Sequence, residues 1–308
     1  MTDRARIFEV GPRDGLQNEK HLLPRAEKVW LIEALVKAGI RELEAGAFVR
    51  ADRVPQMAES ELLHEDLSAR NLNADLYYLV PNQKGLERAI SKKVTHVAVF
   101  TAVSNTFNQK NIGMTVQDSF KEIEAIALAA KQAGIKVRAY VSTVWGCPFE
   151  GRIPASRALP ILEQMLALPV DELSIGDTIG VAAPKGVSEI LKPLLASGLQ
   201  SKLAVHFHDT RGTALANALR SYELGVRSFD SSLGGLGGCP FAPGASGNLA
   251  TEDLAYMLKE LGVETGVNYE ALCQTGLRLT SLMGYERPIS KALQAFLSNC
   301  NLSNSWDS

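Results

Sequence analysis

The chain has 308 residues, a length that permits one large domain or two ordinary ones. Hydrophobic residues make up 46% of it and charged residues 21%, so we expect a well-packed core, and a wholly disordered chain is excluded. The formal net charge of −2 gives no long-range attraction to nucleic acid or anionic membranes, and no apolar stretch is long enough to cross a bilayer, so neither partner is expected.

Eight short apolar or aromatic-rich runs of strand length recur along the chain. They cover residues 6–10, 42–46, 76–80, 96–100, 137–142, 172–176, 203–207 and 228–232. Amphipathic stretches lie between them, such as 26–39 and 119–134, and both of these end in glycine, a common signal for the end of a helix. Strands that alternate with helices predict right-handed βαβ units and a parallel sheet.

Eight such units over roughly 250 residues predict a closed (β/α)₈ barrel. The alternative is an open doubly wound sheet, which would more naturally carry GxGxxG after its first strand, where this chain has GPRDG. Because no Pro/Ser-rich linker divides the sequence, we expect one catalytic domain over residues 1–308. Residues from about 265 to 308 are predicted to form extra helices packed on or beside the barrel.

Polar residues follow the predicted strands at the end where a barrel carries its chemistry. They are Arg13 and Asp14 after the first strand, Glu44 in the second, Asp177 after the sixth, and His206 and His208 in the seventh. This rim would hold an arginine, three carboxylates and two histidines. Burying so many polar groups costs free energy unless a ligand or metal satisfies them. The sequence therefore predicts a functional site at this rim.

The His206-Phe207-His208 run points both imidazoles to one face of a strand, because side chains at i and i+2 share a face. Alone, such a pair is as consistent with a structural role as with a metal site. Its position at a strand end, followed by Asp209, favours a divalent metal. Asp14 is the natural anionic ligand, since the first strand neighbours the eighth in a closed barrel.

The glycine-rich stretch 234–248 follows the eighth predicted strand. It can be interpreted as a surface connection or as an active-site flap, since glycine permits both close approach to a ligand and hinge motion. Its place on the catalytic face favours the flap. Cys239 could then deliver a proton donor, and Asn248 offers an amide oxygen of the kind Mg²⁺ or Mn²⁺ accepts.

Four motifs resemble the 3-hydroxy-3-methylglutaryl-CoA lyase family. They are VGPRDGLQNE (10–19), SIGDTIGV (174–181), HFHDT (206–210) and GGLGGCPFAPGASGNLATEDL (234–254), and the likeness runs from about residue 5 to about 290. The chain is similar in a looser way to a superfamily of metal-dependent barrel lyases and Claisen-type synthases.

The resemblance implies a retro-Claisen cleavage of hydroxymethylglutaryl-CoA to acetyl-CoA and acetoacetate, with Mg²⁺ or Mn²⁺ as cofactor. By position, the metal ligands would be Asp14, His206, His208 and Asn248.

The resemblance also assigns roles to residues around the metal. Arg13 would bind the thioester oxygen as it becomes an enolate, Asp177 would take the hydroxyl proton, and Cys239 would protonate the enolate. Glu44 and Glu252 would order the ligands and the flap. Lys20 matches a lysine of the family's first motif and would lie near the CoA phosphates.

Simpler roles are open for several of these residues. Asp14 could cap the following turn, Asp177 could bond a helix N-terminus, and Glu44 could pair with Arg13. We expect Cys147 to be structural and Cys273 to lie in a helix core, whereas Cys300 is free to be exposed and a redox or intersubunit role is open.

Departures from the family pattern lie at the expected mouth of the site. They are Arg50-Ala51-Asp52 in place of Ser-Pro-Lys, Arg211 in place of a residue that is often tyrosine, and differences within 101–113. They leave open a bulkier 3-hydroxy-3-alkylglutaryl-CoA or a different hydroxyacyl-CoA as substrate. A Claisen-type synthase and a catalytically silent metal or acyl-CoA binding protein are two further hypotheses.

Cellular context is the last expectation. Four cysteines without CxxC spacing and a start without the apolar core of a secretory signal favour the cytoplasm. The resemblance further implies a homodimer and a place in leucine degradation.

Overall fold

The computed structural model describes residues 3–238 and 247–306, with side chains up to Asn299. Its ten strands are β1 (Arg6–Glu9), β2 (Glu42–Ala47), β3 (Asp75–Leu79), β4 (His96–Ala102), β5 (Lys136–Ser142), β6 (Gly146–Cys147), β7 (Gly151–Arg152), β8 (Glu172–Asp177), β9 (Leu203–Phe207) and β10 (Ser228–Ser231). Eight of these lie where the sequence predicts strands.

Those eight strands close into a barrel in the order β1-β10-β9-β8-β5-β4-β3-β2, and every neighbouring pair is parallel. β1 pairs with both β2 and β10, so the first and last barrel strands meet as expected. The predicted closed barrel is therefore confirmed over the open sheet. β6 and β7 form a small antiparallel hairpin that the sequence analysis does not predict.

Helices surround the barrel and extend beyond it. They are α1 (Arg25–Lys37), α2 (Ser60–Ser68), α3 (Gln83–Ser91), α4 (Asn105–Ile112), α5 (Val116–Gln132), α6 (Ala155–Ala167), α7 (Pro184–Ala196), α8 (Ala214–Leu224), α9 (Thr251–Glu260), α10 (Tyr269–Leu282) and α11 (Lys291–Trp306). Each barrel strand is followed by at least one helix, and α10 and α11 form the predicted helical tail. The single-domain organisation stays a prediction.

Local signals in the sequence explain several helix ends. The side chains of Ser104 and Thr115 accept hydrogen bonds from the backbone of the first turns of α4 and α5. The predicted terminator Gly39 follows α1 with φ 103°, and Gly134 follows α5 with φ 72°, conformations that glycine adopts at low cost.

The molecule has two differently composed interiors. A large apolar core lies between the barrel strands and the helices. Inside the barrel, the rings of Phe8 and Tyr77 meet at 5.0 Å, and the Arg138 guanidinium carbon lies 3.9 Å from the centre of the Phe8 ring. Charged side chains thus share the barrel interior with aromatic ones, beneath the rim that carries the candidate site.

Among the helices that the structure describes, none combines the length and the apolar character needed to span a membrane.

Candidate active site at the carboxyl end of the barrel

Three predicted metal ligands converge at the barrel mouth. Asp14, His206 and His208 each offer a ligand atom, and these atoms lie within 4.8 Å of one another. Asp14 lies in a single wide turn, Gly11–Gly15, whose backbone folds back so that the Asp14 N–H donates to the Val10 carbonyl at 2.7 Å. The turn thus places the Asp14 carboxylate next to the imidazoles of His206, in β9, and His208, just after it.

Asn248 joins this cluster through its side-chain amide. Its Nδ2 donates to Asp14 Oδ2 at 2.9 Å and to the Leu236 carbonyl at 3.0 Å, so both amide hydrogens are used. Its Oδ1 and the Nδ1 of His208 are buried without a hydrogen-bond partner among the described residues. Orphaned buried acceptors beside a carboxylate and a second imidazole form a donor set that fits a divalent cation.

The charges in this cluster also suit a cation. Burial works to raise the pKa of Asp14, but the charge of Arg13, the neighbouring imidazoles and the hydrogen bond from Asn248 outweigh it and hold the pKa below its ordinary value. Burial, reinforced by the neighbouring imidazole, lowers the pKa of His208 to about 4. An ionised Asp14 and a neutral His208 are the protonation states that metal ligation requires, whereas the carboxylates of Asp230 and Asp14 raise the pKa of His206 against the effect of burial.

Arg13 is buried beside the cluster and held by two carboxylates. Its Nε donates to Glu44 Oε2 at 2.7 Å and its Nη1 donates to Asp14 Oδ1 at 2.8 Å. Burial works to lower the pKa of Arg13, but the charges of Glu44 and Asp14 raise it above its ordinary value. The pairing considered from the sequence is thus present, and it fixes the guanidinium in one orientation.

Asp177 ends β8 and is buried at the same rim. Its Oδ1 accepts the Val181 N–H at 3.0 Å and its Oδ2 accepts the Ala182 N–H at 2.9 Å, just before α7 begins. The structural role considered from the sequence is therefore present, and no hydrogen bond of the described residues joins Asp177 to Arg13 or Asp14. Burial raises the pKa of Asp177 to about 6, against the pull of those two N–H groups.

The glycine-rich loop is anchored at both stems. The Leu249 N–H donates to Phe207 O at 3.0 Å, and Asn18 Nδ2 donates to Gly238 O at 3.0 Å. Gly237 has φ 104°, and a Cβ there would lie 2.7 Å from Asn248 Nδ2, so only glycine fits.

Two buried glutamates hold the first stem from below. Both oxygens of Glu252 accept the Gly234 N–H, at 3.0 and 2.9 Å, and Glu9 Oε1 accepts the Leu233 N–H at 2.9 Å. Burial raises the pKa of Glu252 to about 8 and that of Glu9 to about 7. Glu252 therefore lies at the base of the loop rather than among the metal-ligand atoms.

The remaining predicted residues fall elsewhere. Cys239 lies outside the described residues. Lys20 is exposed on the loop before α1. Cys147 is buried in β6 with its thiol 3.0 Å from a serine hydroxyl, and Cys273 is buried in α10, as the structural interpretations expect. The Cys300 side chain is not among those described.

Four buried polar residues near the site were not singled out from the sequence: Glu9, Arg138, Tyr140 and Asp230. Each lies inside a run that was interpreted only as a strand. Asp230 Oδ2 lies 3.2 Å from His206 Nδ1, and the Tyr140 hydroxyl is buried without a partner among the described residues. The available signal was an ionisable residue within an apolar strand, which is rarely buried without a purpose.

Comparison with known proteins extends this geometry to a family. A family model described as HMGL-like matches residues 4–277. The mitochondrial hydroxymethylglutaryl-CoA lyase of Bos taurus is 44% identical over 293 residues, which is 95% of this chain and 89% of that protein. The chain belongs to the HMGL-like family.

Solved structures agree with this membership. The hydroxymethylglutaryl-CoA lyase of Bacillus subtilis has a TM-score of 0.92 at 39% identity, covering 96% of this chain and 98% of that one. That of Acinetobacter baumannii, in complex with coenzyme A and 3-methylmalate, has a TM-score of 0.88 at 37% identity, covering 94% of each chain. The predicted family, barrel fold and enzyme class, a carbon–carbon lyase, are confirmed.

Two departures of this HMGL-like chain from the family pattern lie on exposed loops. Arg50 donates to both oxygens of Asp52, at 3.0 and 2.6 Å, in the turn after β2. Arg211 donates to the carbonyls of Ile179 and Gly180, at 2.9 and 3.0 Å, in the loop that follows Asp177. Both arginines are thus already engaged by the protein.

Proposed function

We propose that this chain is a metal-dependent lyase that cleaves 3-hydroxy-3-methylglutaryl-CoA to acetyl-CoA and acetoacetate. One observation carries the proposal: a donor set suited to a divalent cation lies against a buried arginine held by Glu44. The relatives named as hydroxymethylglutaryl-CoA lyases, and the one solved with coenzyme A, support the same substrate class.

The proposed metal ligands are Asp14, His206, His208 and Asn248, and the metal is Mg²⁺ or Mn²⁺. The donor set offers two oxygen atoms, from Asp14 and Asn248, and two imidazole nitrogen atoms, and the two oxygen ligands support these hard cations. When bound, the cation supplies positive charge that orients and acidifies the tertiary hydroxyl of the substrate.

Arg13 and Asp177 carry the next proposed roles. The hydroxyl proton passes to Asp177, the carbon–carbon bond breaks as the hydroxyl carbon becomes the ketone of acetoacetate, and the electron pair moves onto the thioester. Arg13 stabilises the resulting enolate oxygen, and its fixed guanidinium needs no reorganisation to do so. With a pKa of about 6, Asp177 is ionised at neutral pH and can accept the proton.

Cys239 is proposed to protonate the enolate carbon, which completes acetyl-CoA. The described stems on either side of this segment support the role, because Gly234 and Gly238 before it and Leu249 after it are hydrogen-bonded near the metal-ligand cluster. Glu44 is proposed to orient Arg13 and Glu252 to hold the flap, and Lys20 to contact the CoA phosphates from its exposed position.

The cellular context is proposed from the sequence composition, for the cytoplasm, and from the family resemblance, for the oligomer and the pathway. We propose a homodimer that acts in the cytoplasm and in leucine degradation. Size-exclusion chromatography with light scattering tests the homodimer, and cell fractionation tests the cytoplasmic location. Growth of a deletion strain on leucine tests the role in leucine degradation.

The decisive assay incubates purified protein with Mg²⁺ or Mn²⁺ and hydroxymethylglutaryl-CoA and follows acetoacetate release. We expect turnover that chelation abolishes and added metal restores. The Cys239→Ala variant should lose turnover while keeping metal affinity, and His206→Gln should lose metal affinity.

The same assay separates the competing functions. Turnover only with a bulkier 3-alkyl analogue would identify that analogue as the substrate. This outcome stays open because Arg50 and Arg211 differ from the residues usual in the family. Bond formation from acetyl-CoA and a 2-oxo acid would indicate a synthase. Metal binding without any turnover would contradict the lyase proposal.

A further inference from the structure

Asp230 is a buried carboxylate of β10 that the proposed reaction does not use. It lies directly across the β9–β10 pairing from His206, because the two residues are partners in the strand register. Its Oδ2 lies 3.2 Å from His206 Nδ1, and 2% of the residue is exposed. The Nε2 of the same ring faces the other way, 4.0 Å from Asp14 Oδ2.

Asp230 is itself held in place from below. Arg138 donates to both of its oxygens, from Nη1 at 3.1 Å and from Nη2 at 2.6 Å, and Ser174 Oγ donates at 2.8 Å. The two parallel bonds from one guanidinium fix the plane of the carboxylate. Arg138 is in turn held by Glu172, to which its Nε donates at 2.6 Å.

We propose that Asp230 and Arg138 are positioning residues that set the ring orientation and the tautomer of His206 for metal binding. An ionised carboxylate can only accept, so Nδ1 of His206 carries the proton and donates it to Asp230. The lone pair then lies on Nε2, on the side of Asp14. The inference rests on the proposed metal site and adds to it two residues outside the ligand set.

The two histidines differ in this respect. Among the residues described, no hydrogen bond joins the His208 ring to a carboxylate, whereas Nδ1 of His206 contacts a carboxylate that an arginine holds in place. Loss of Asp230 should therefore weaken the metal site through one ligand and leave the other three in place. Partners of metal-ligating histidines typically contribute about 10- to 100-fold to metal affinity.

The first test measures the Mn²⁺ dissociation constant from the electron paramagnetic resonance signal of free Mn²⁺. We expect Asp230→Asn to weaken binding by about 10- to 100-fold. Because this variant removes one of the two carboxylates that pair with the buried Arg138, the double variant Arg138→Met/Asp230→Asn is measured beside it and should show the same loss. Asp75→Asn is the matched control: it changes a carboxylate that lies 3.4 Å from another histidine, His96, at the amino end of the barrel, and it should leave affinity nearly unchanged.

The second test reads the tautomer directly in the metal-free protein. Nitrogen-15 spectra of histidine-labelled protein at about pH 9, where imidazoles are neutral, should show the His206 proton on Nδ1. The His206→Gln spectrum assigns the signal. In the double variant the preference for Nδ1 should be lost.

The outcomes separate this inference from the proposed function. A His206 proton on Nε2, or Mn²⁺ affinity unchanged in the double variant while wild type cleaves the thioester substrate, would overturn the positioning role alone. Weakened Mn²⁺ binding in a protein that cleaves no hydroxyacyl-CoA would support the positioning role and overturn the proposed lyase activity.

Discussion

Asp177 shows how one residue can combine a structural and a chemical role. Each of its oxygens accepts one backbone N–H, from Val181 or Ala182, and a carboxylate oxygen has capacity for a second bond. The pKa of about 6 arises mainly from burial, so the group ionises just below neutrality. The hydrogen bonds fix its position, and the burial makes its carboxylate a stronger base.

Asp177→Asn tests this combination. The amide oxygen can still accept one N–H but cannot take a proton, so we expect kcat to fall by about 10²- to 10⁴-fold. The Mn²⁺ dissociation constant should stay near the wild-type value, since Asp177 is not among the clustered ligand atoms. A variant that keeps kcat would restrict Asp177 to its structural role.

Residues at this scale were predictable from sequence only where a motif or a strand end marked them. Asp14 and His208 follow strand ends, His206 lies in β9 next to its last residue, and the three lie together as predicted. Glu9, Arg138 and Asp230 lie within strands, and which face of the barrel wall each one meets depends on strand register. The glutamate at 252 was identified, but its position at the loop base depends on a contact with Gly234 that no local pattern reveals.

At the scale of elements, the glycine-rich loop shows which glycines the site requires. Gly237 and Gly262 both have positive φ, 104° and 73°, so alanine is strained at either position. Only at Gly237 would the added Cβ meet neighbours, 2.7 Å from Asn248 Nδ2 and 3.1 Å from Gly15 Cα, whereas at Gly262 nothing lies within 4 Å.

The pair Gly237→Ala and Gly262→Ala separates backbone strain from site geometry. We expect both variants to lose about 1 kcal/mol or more of unfolding free energy, because alanine resists positive φ. Only Gly237→Ala should also weaken Mn²⁺ binding and slow turnover, because it displaces Asn248. Urea unfolding and the manganese titration measure the two effects, and equal metal affinities in the two variants would contradict the assignment of Asn248.

Elements were largely predictable, and the exceptions have simple causes. The eight barrel strands and the helix terminators Gly39 and Gly134 follow from periodicity and from glycine chemistry. The β6–β7 hairpin escaped prediction because each of its strands has two residues, too few for any alternation to show. Helix α4 is short and polar, so no apolar stripe marks it.

At the scale of the whole molecule, the buried glutamates below the loop couple folding to pH. In the unfolded chain Glu252 would ionise near its ordinary pKa of 4.5, whereas in the folded protein burial raises the pKa to about 8. Between these two values the unfolded state releases the proton and the folded state retains it. The stability contributed by the protonated group is complete below about pH 4.5 and is lost as pH rises towards about 8.

Glu252→Gln should remove this dependence. Glutamine keeps an oxygen for the Gly234 N–H but cannot ionise. We therefore expect the unfolding free energy of the variant, relative to that of the wild type, to increase as pH rises through this window, by up to ~1.4 kcal/mol per pH unit. Glu9, with a raised pKa of about 7, is present in both proteins, and its negative charge contributes to the raised pKa of Glu252. Urea unfolding of both proteins at several pH values measures this difference in unfolding free energy. A difference that does not change with pH would contradict the prediction.

The amide of Asn248 limits how this site can be redesigned. Adding a carboxylate is a common way to tighten a cation site, and Asn248→Asp would seem an obvious route because it changes one atom. Yet both amide hydrogens are already committed, one of them to Asp14 at 2.9 Å. An aspartate there would set oxygen against oxygen and repel the ligand it was meant to assist. An engineer who wants tighter binding must therefore keep the asparagine neutral and add charge elsewhere on the rim.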